Sequence, residues 1–202
     1  MESLKSEAPA SVWDNLYHLG KIPWRSAGLS VTTRRLLTSY AAGLRILEVG
    51  CGVGDDAEAI AEIGFDYLGL DISEAAIHEA TSRCTSRTLH FECADFFRWS
   101  VDMSFDVIYE KGLFHGLGGV RRRNTFVRRA ATLLNHKGIW VTVCGSADQR
   151  RVDFCHGAIY LRDLIGPAEI YFEVLEVVKA DYGLADRDRD FNAWHAVFRR
   201  RQ

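Results

Sequence analysis

The 202-residue chain predicts an α/β fold: a doubly wound, mostly parallel seven-stranded sheet with an antiparallel C-terminal hairpin and an N-terminal helical cap. Three observations carry this expectation. From Leu44 onward, short β-branched apolar runs alternate with longer amphipathic stretches, as in parallel strands joined by helical crossovers. A glycine-rich turn follows the first apolar run and precedes the first amphipathic one. The last two apolar runs follow each other with no long helical stretch between them, which reads as a hairpin at one sheet edge.

Each element has its local reason. The first dozen residues are polar and small and are expected to fray. Leu44–Val49 reads as a buried strand, and Asp55–Ile63 as a helix with Ala57, Ile60 and Ala61 on one face. Tyr67–Leu70 is a second strand ended by Asp71, and Ser73 is placed to cap a helix over Glu74–Arg83. Thr88–Cys93 and Phe105–Tyr109 are the third and fourth strands. Phe126, Ala130, Leu133 and Leu134 form a helical stripe between Val120 and Leu134. Gly138 separates that helix from a fifth strand, Ile139–Cys144, and Tyr171–Val178 and Ala193–Arg199 complete the set. The whole is expected to be one domain, with residues 1–40 as cap and 41–202 as core. In such a sheet, ligands lie beyond the carboxyl ends of the strands at the topological switch point. That directs attention to residues 48–55, 71–73, 94–96 and 110–116.

Composition narrows the function classes. Lys plus Arg number 25 against 27 Asp plus Glu, a formal charge of −2, which excludes a chain dominated by a basic nucleic-acid-binding surface. No apolar run approaches the roughly 18 residues of a membrane span. The N-terminal segment carries no apolar signal, so a cytoplasmic location is expected. Five cysteines (Cys51, Cys84, Cys93, Cys144 and Cys155) form no Cys-x-x-Cys pair, so neither a disulfide framework nor a zinc site is expected.

The first strand runs into Glu48-Val49-Gly50-Cys51-Gly52-Val53-Gly54-Asp55-Asp56. Glycines there allow a sharp turn and close approach of a ligand to backbone ahead of a helix N-terminus. Asp71 follows at the spacing of a ribose-binding carboxylate, so a dinucleotide is a rival ligand. The charges oppose it. Asp55 and Asp56 stand where a pyrophosphate needs positive potential, and each close like-charge pair would cost about 1–4 kcal/mol. Glu48 adds a third acid. A ligand carrying an ammonium and a sulfonium suits these charges better. The plainer alternative for Asp55 and Asp56 is stabilisation of a helix N-terminus through its dipole.

Glu48–Gly54, then Leu68-Gly69-Leu70-Asp71-Ile72-Ser73, then Cys93-Ala94-Asp95-Phe96, resemble in order and spacing the motifs of class I S-adenosylmethionine-dependent methyltransferases. Val12–Tyr17 with Gly20 and Pro23-Trp24, Gly112-Leu113-Phe114-His115, and the terminal Ala193–Arg200 resemble small bacterial enzymes related to thiopurine S-methyltransferase. The resemblance covers almost the whole chain and implies a Rossmann-like fold. It implies S-adenosylmethionine as cofactor, S-adenosylhomocysteine as product and a small-molecule acceptor. By position, Glu48 and the backbone of Gly50, Cys51, Gly52 and Gly54 would hold the methionine end. Asp71 would accept the ribose hydroxyls, Ile72 would pack on adenine, and Ala94, Asp95 and Phe96 would meet the adenine edge. Glu110 and Trp24 would complete the cofactor site. Two segments depart from the family pattern: His136-Lys137-Gly138 replaces a Pro-Gly-Gly turn, and Gly145–Arg151 differs more.

The acceptor is less legible. After the fourth strand the chain reads Tyr109-Glu110-Lys111-Gly112, without the Asn/Asp-Pro-Pro-aromatic signature of amino methyltransferases, and no proline precedes a cysteine. Nucleic acid is therefore disfavoured. Arg121–Arg123 with Arg128 and Arg129 keep an acidic partner in view, although a solvated helix face is the simpler reading. Trp13, Tyr17, Lys111, Phe114 and Ser146 are assigned to the acceptor side, Trp13 and Trp24 as parts of a lid. Ordinary packing of a cap is the alternative for these tryptophans, and strand packing the expected role of Trp140 and Trp194. His115 is the first candidate general base, since imidazole titrates near neutrality, with Glu110 beside it. A structural histidine and a local Glu110–Lys111 ion pair are the bland alternatives. Three other readings stay open: aminocarboxypropyl transfer or cyclisation from the same cofactor, a nicotinamide-dependent oxidoreductase, and a non-catalytic cofactor-binding module.

Overall fold

The computed structural model describes residues 8–148, 158–185 and 191–202. Two helices come first, α1 (Ala10–His18) and α2 (Val31–Tyr40), followed by β1 (Arg45–Val49), α3 (Ala57–Glu62), β2 (Asp66–Asp71), α4 (Glu74–Arg83) and β3 (Leu89–Cys93). Then come β4 (Phe105–Lys111), the short α5 (Leu113–Gly116), α6 (Gly119–Leu133), β5 (Leu134–Gly145), α7 (Leu161–Glu169), β6 (Phe172–Asp181) and β7 (Asn192–Arg200). The strands form one seven-stranded sheet in the order β3-β2-β1-β4-β5-β7-β6. Only β7 runs antiparallel to its neighbours β5 and β6. The order turns back at β1, which pairs with both β2 and β4, so the switch point lies between β1 and β4.

Side-chain alternation divides the core in two. Ile46, Val107, Tyr109, Val141 and Val143 face α2 and α3, meeting Leu36, Leu37, Ala57 and Ile60. Leu47, Ile108, Trp140 and Phe198 face the other way, onto Phe114, Phe126, Ala130, Leu164 and Ala168 of α5, α6 and α7. Ser73 caps α4 as expected, its Oγ accepting the Ala76 N–H at 3.2 Å. Arg121 and Arg128 are exposed, opposite the buried Phe126 and Leu133. Trp140 is fully buried in the core; Trp194 is buried with its indole N–H on the Ile159 carbonyl.

Several expectations are corrected. The β3–β4 connection, residues 94–104, carries no helix; Phe96, Phe97 and Trp99 occupy that space instead, Phe96 packing against Phe126 of α6 and Trp99 against Phe105. The fifth strand begins at Leu134, before Gly138: Leu134 pairs with Phe105, and the register shifts before Ile139 meets Val107, with Lys137 at φ 63°. A helix unread in the sequence, α7, contains Gly166 and Pro167, which mask its pattern, yet it buries Leu164, Pro167 and Ala168. β6 runs on to Asp181, three residues past the expected end. Within the N-terminal region, α2 buries Thr33, Leu36 and Leu37 and belongs to the helical layer, whereas no described residue before Thr33 is buried. No helix among the described residues is long and apolar enough to cross a membrane.

Candidate functional site

The glycine loop makes a tight turn at the end of β1. Gly50, Gly52 and Gly54 all have positive φ (74°, 55° and 73°), a region open to glycine and strained for other residues. At Gly52 the requirement is also spatial: a Cβ would stand 2.9 Å from the Tyr17 hydroxyl. The loop backbone is tied down by Asp71, whose Oδ2 accepts the Gly52 N–H at 2.8 Å while Oδ1 accepts the Ser73 N–H at 2.9 Å. Burial raises the Asp71 carboxyl above its ordinary value, against the pull of those two N–H donors. Each oxygen keeps a further lone pair for a ligand hydroxyl.

A cavity of about 70 Å³ lies against this loop. Glu48, Gly50–Val53, Asp55 and Asp56 form one wall, Tyr17, Trp24, Arg25 and Ser26 of the cap another, and Lys111 and Tyr182 close it from β4 and the end of β6. Trp24 donates its indole N–H to the Tyr17 hydroxyl at 3.4 Å and meets Trp13 edge-on at 5.6 Å between centroids. Burial raises the Tyr17 phenol, and the Asp71 charge adds to that. Tyr67 donates to Glu48 Oε2 at 2.6 Å, and Tyr109 to Asp56 Oδ2 at 2.6 Å. Burial and then the neighbouring Asp56 charge push the Glu48 carboxyl well up, which Tyr67 and Lys111 only partly oppose. The cap is held at its other end by Asp14, which accepts from the Ser73 hydroxyl (2.6 Å) and the Ala75 N–H (3.1 Å) at the start of α4.

The pleat separates two residues that the sequence analysis grouped together. Glu110 and Lys111 are neighbours on β4 and so point to opposite faces. Lys111 shares the face of Glu48 and lines the cavity. Glu110, predicted for both cofactor binding and catalysis, is fully buried on the other face. Its Oε1 accepts from the Thr142 hydroxyl and the Cys144 thiol, and its Oε2 accepts the Phe114 N–H at 2.8 Å. Burial lifts its pKa to about 7. There is no Glu110–Lys111 ion pair; Lys111 pairs with Asp56. His115 lies beyond β4, and its Nδ1 accepts the Gly145 N–H at 3.0 Å. Burial depresses the imidazole to about 4, so at neutral pH it is uncharged with that lone pair engaged.

Phe114, expected at the acceptor, is core, packed on Phe126 and Trp140. Ser146 is fully buried, its Oγ accepting the Asp148 N–H; residues 149–151, expected to border the acceptor with it, lie outside the described residues. Phe96 is a core ring as well, packed on Phe97 and Phe126. Ile72, Ala94 and Asp95 are half-buried around the end of β2 and β3, Ala94 donating its N–H to the Asp71 carbonyl. Trp13 is half-buried behind Trp24. Ser26 and Tyr182 line the cavity without having been read from the sequence. The signal for Tyr182 was present: β6 runs parallel to β5, so whatever follows its carboxyl end arrives on the ligand side.

Residues 46–138, which hold the glycine loop, Asp71, β3, β4 and the start of β5, match the family described as "Methyltransferase domain". Alignment with a probable thiol methyltransferase 2 of Arabidopsis thaliana gives 29% identity over 153 residues, 73% of this chain and 67% of that one. These matches support a class I S-adenosylmethionine-dependent methyltransferase. Thiocyanate methyltransferase 1 of Brassica oleracea is 32% identical over 107 residues, about half of each chain at 50% and 47%. In fold, the chain superposes on a Burkholderia thailandensis 1,6-didemethyltoxoflavin-N1-methyltransferase solved with 1,6-didemethyltoxoflavin and S-adenosylhomocysteine. The TM-score is 0.78 at 15% identity, covering 98% of this chain and 94% of that one.

The residues around the cavity fit S-adenosylmethionine, the cofactor that the sequence motifs imply. Gly52 turns at φ 55° and brings loop backbone close to the Tyr17 hydroxyl. Asp71 has acceptor capacity beside it for a pair of hydroxyls, and the acids around the cavity suit a cationic ligand better than a pyrophosphate.

Proposed function

We propose that this enzyme methylates a small-molecule acceptor, and that the acceptor is a thiol or a comparably soft nucleophile. The observation that carries the reading is the closed constellation at the β1–β4 switch point: a glycine loop pinned by Asp71, faced by Tyr17, Trp24 and Tyr182. When bound, the cofactor supplies an electrophilic methyl group on a sulfonium. The protein's share is to bind and orient. Gly50–Gly54 backbone and Glu48 would receive the methionine end, Asp71 the ribose and Ile72 the adenine face. The aromatic wall excludes water and favours cationic charge beside it. Holding donor and acceptor in attack geometry is worth about 7–11 kcal/mol and requires no covalent help from the chain.

The state of the two candidate bases supports a thiol. Neither Glu110 nor His115 lines the cavity, and both have their acceptor atoms engaged inside the fold. A thiol ionises at about pH 8.5 and reacts as the thiolate without a general base. The similarity to a thiol and a thiocyanate methyltransferase points the same way. The test is a matched panel of small thiols, hydrosulfide, amines and phenols incubated with S-adenosylmethionine. Release of S-adenosylhomocysteine with a methylated thiol is expected. Transfer confined to amines or phenols would overturn the thiol assignment, and transfer of an aminocarboxypropyl group would overturn methylation itself.

A further inference from the structure

We propose that Lys111 is a positioning residue that clasps residues 24–28 of the cap onto the sheet and so sets Trp24 and Tyr17 over the cofactor cavity. The inference rests on the cofactor reading above. Its starting point is that no described residue before Thr33 is fully buried, so the partial packing of Tyr17, Trp24 and Leu29 is supplemented by polar contacts in holding the cap down. Asp14 anchors one end at the start of α4, and at residues 24–28, where Arg25 pairs with Asp55 and Glu79, several more gather around Lys111.

Lys111 Nζ donates to Ser26 Oγ at 2.5 Å and to the Gly28 carbonyl at 3.5 Å. It pairs with Asp56 Oδ2 at 3.7 Å and sits 5.5 Å from the centroid of the Tyr182 ring. One side chain, only 7% exposed, thus touches the cap, the start of α3 and the segment after β6. Ser26 repeats the link from the other side: its Oγ donates to Asp56 Oδ1 at 3.0 Å and its N–H to Asp55 Oδ2 at 3.0 Å. The segment after β6 joins in through backbone, Ala27 N–H to the Gly183 carbonyl and Ala185 N–H to the Arg25 carbonyl. Gly28 turns at φ 101° to present its carbonyl, a conformation suited to glycine.

Lys111, Ser26, Asp56 and Tyr182 also line the cavity together with Glu48 and Gly50–Val53. The clasp and the ligand therefore share a wall, and closing one helps to order the other. An ammonium between carboxylate, hydroxyl and carbonyl makes charge-assisted bonds, the stronger class of hydrogen bond. A residue buried merely to fill space would show none of this directionality.

The experiment measures S-adenosylhomocysteine affinity by calorimetry and amide hydrogen exchange of residues 17–28 in the parent, Lys111→Met, Lys111→Arg and Ser26→Ala. With Lys111→Met, affinity is expected to fall about ten- to a hundredfold, the span of charge-assisted hydrogen bonds. Protection of residues 17–28 should be lost while the rest of the sheet keeps its own. Turnover at saturating cofactor should fall less than affinity, and Lys111→Arg should recover much of both. Parent-like affinity and protection in folded Lys111→Met would overturn the proposal, as would no recovery in Lys111→Arg. Should Lys111→Met not fold, Ser26→Ala decides, since it removes the shared hydroxyl without stranding a charge. Unchanged protection there overturns the clasp. A parent protein that binds neither S-adenosylmethionine nor its product would instead bring down the cofactor reading, and this proposal with it, before any variant is compared.

Discussion

Replacing Glu110 by Gln removes a buried titratable group without changing its shape, and its effect on stability should depend on pH in a defined direction. Burial raises the Glu110 pKa from 4.5 to about 7 in the folded protein. Between those values the folded chain holds a proton that the unfolded chain releases, so the parent loses stability as pH rises from 4.5 and levels off above about 7. At about 1.4 kcal/mol for each tenfold change in proton affinity, the full loss is about 3 kcal/mol. The Gln side chain keeps a carbonyl oxygen for the Phe114 N–H, and its amide can donate to the Thr142 hydroxyl, so the static cost should be about 1 kcal/mol. His115, depressed to about 4 by burial, contributes the opposite slope, gaining stability as pH rises toward 6.5, but it does so in both proteins and cancels. Urea unfolding of parent and Glu110→Gln across this range, analysed at equal m, should show the variant gaining about 3 kcal/mol relative to the parent from pH 4.5 to about 7.5. A difference that stays constant within about 0.5 kcal/mol would refute the buried, proton-holding Glu110.

Asp71→Ala should weaken S-adenosylhomocysteine binding by about 2–4 kcal/mol, the worth of two charge-assisted hydrogen bonds; unchanged calorimetric affinity in a folded variant would remove Asp71 from the ribose site. Glu48→Gln should reduce the proton release that accompanies cofactor binding, since burial and Asp56 raise the Glu48 carboxyl and a cationic ligand favours its ionised form. Equal heats for both proteins in buffers of different ionisation enthalpy would contradict that. His115→Ala should leave cofactor affinity unchanged and the acidic limb of the pH–rate profile in place, because its imidazole is depressed to about 4; loss of a limb near neutrality would restore it as a base. Phe114→Ala should cost about 3–5 kcal/mol of stability as a core truncation, and a near-neutral melt with impaired acceptor binding would return Phe114 to the pocket.

What could be read from the sequence was whatever is decided locally. The glycine loop and the Ser73 cap depend on backbone torsion and on hydrogen bonds a few residues long, and both stand where those residues required. What could not be read depends on which face a side chain takes and on contacts between distant segments. Phe96, Glu110 and Phe114 stand at or just beyond the carboxyl ends of β3 and β4, the right height for a ligand, yet Phe96 and Phe114 pack on Phe126 of α6 and Glu110 turns inward to Thr142, Cys144 and the Phe114 N–H. Parity along β4 was available, because Tyr109 and Lys111 must share one face and Ile108 and Glu110 the other, but choosing the ligand face requires knowing that α2 and the cap cover the first of these. That depends on contacts such as Lys111 to Ser26, 85 residues apart, and Tyr109 to Asp56, 53 apart. The same parity explains how the charges are arranged. Glu48 and Lys111 come to one face from adjacent strands, so the acid set by the glycine motif and the ammonium that closes the cap meet over Asp56, and the site's electrostatics and its closure become one network.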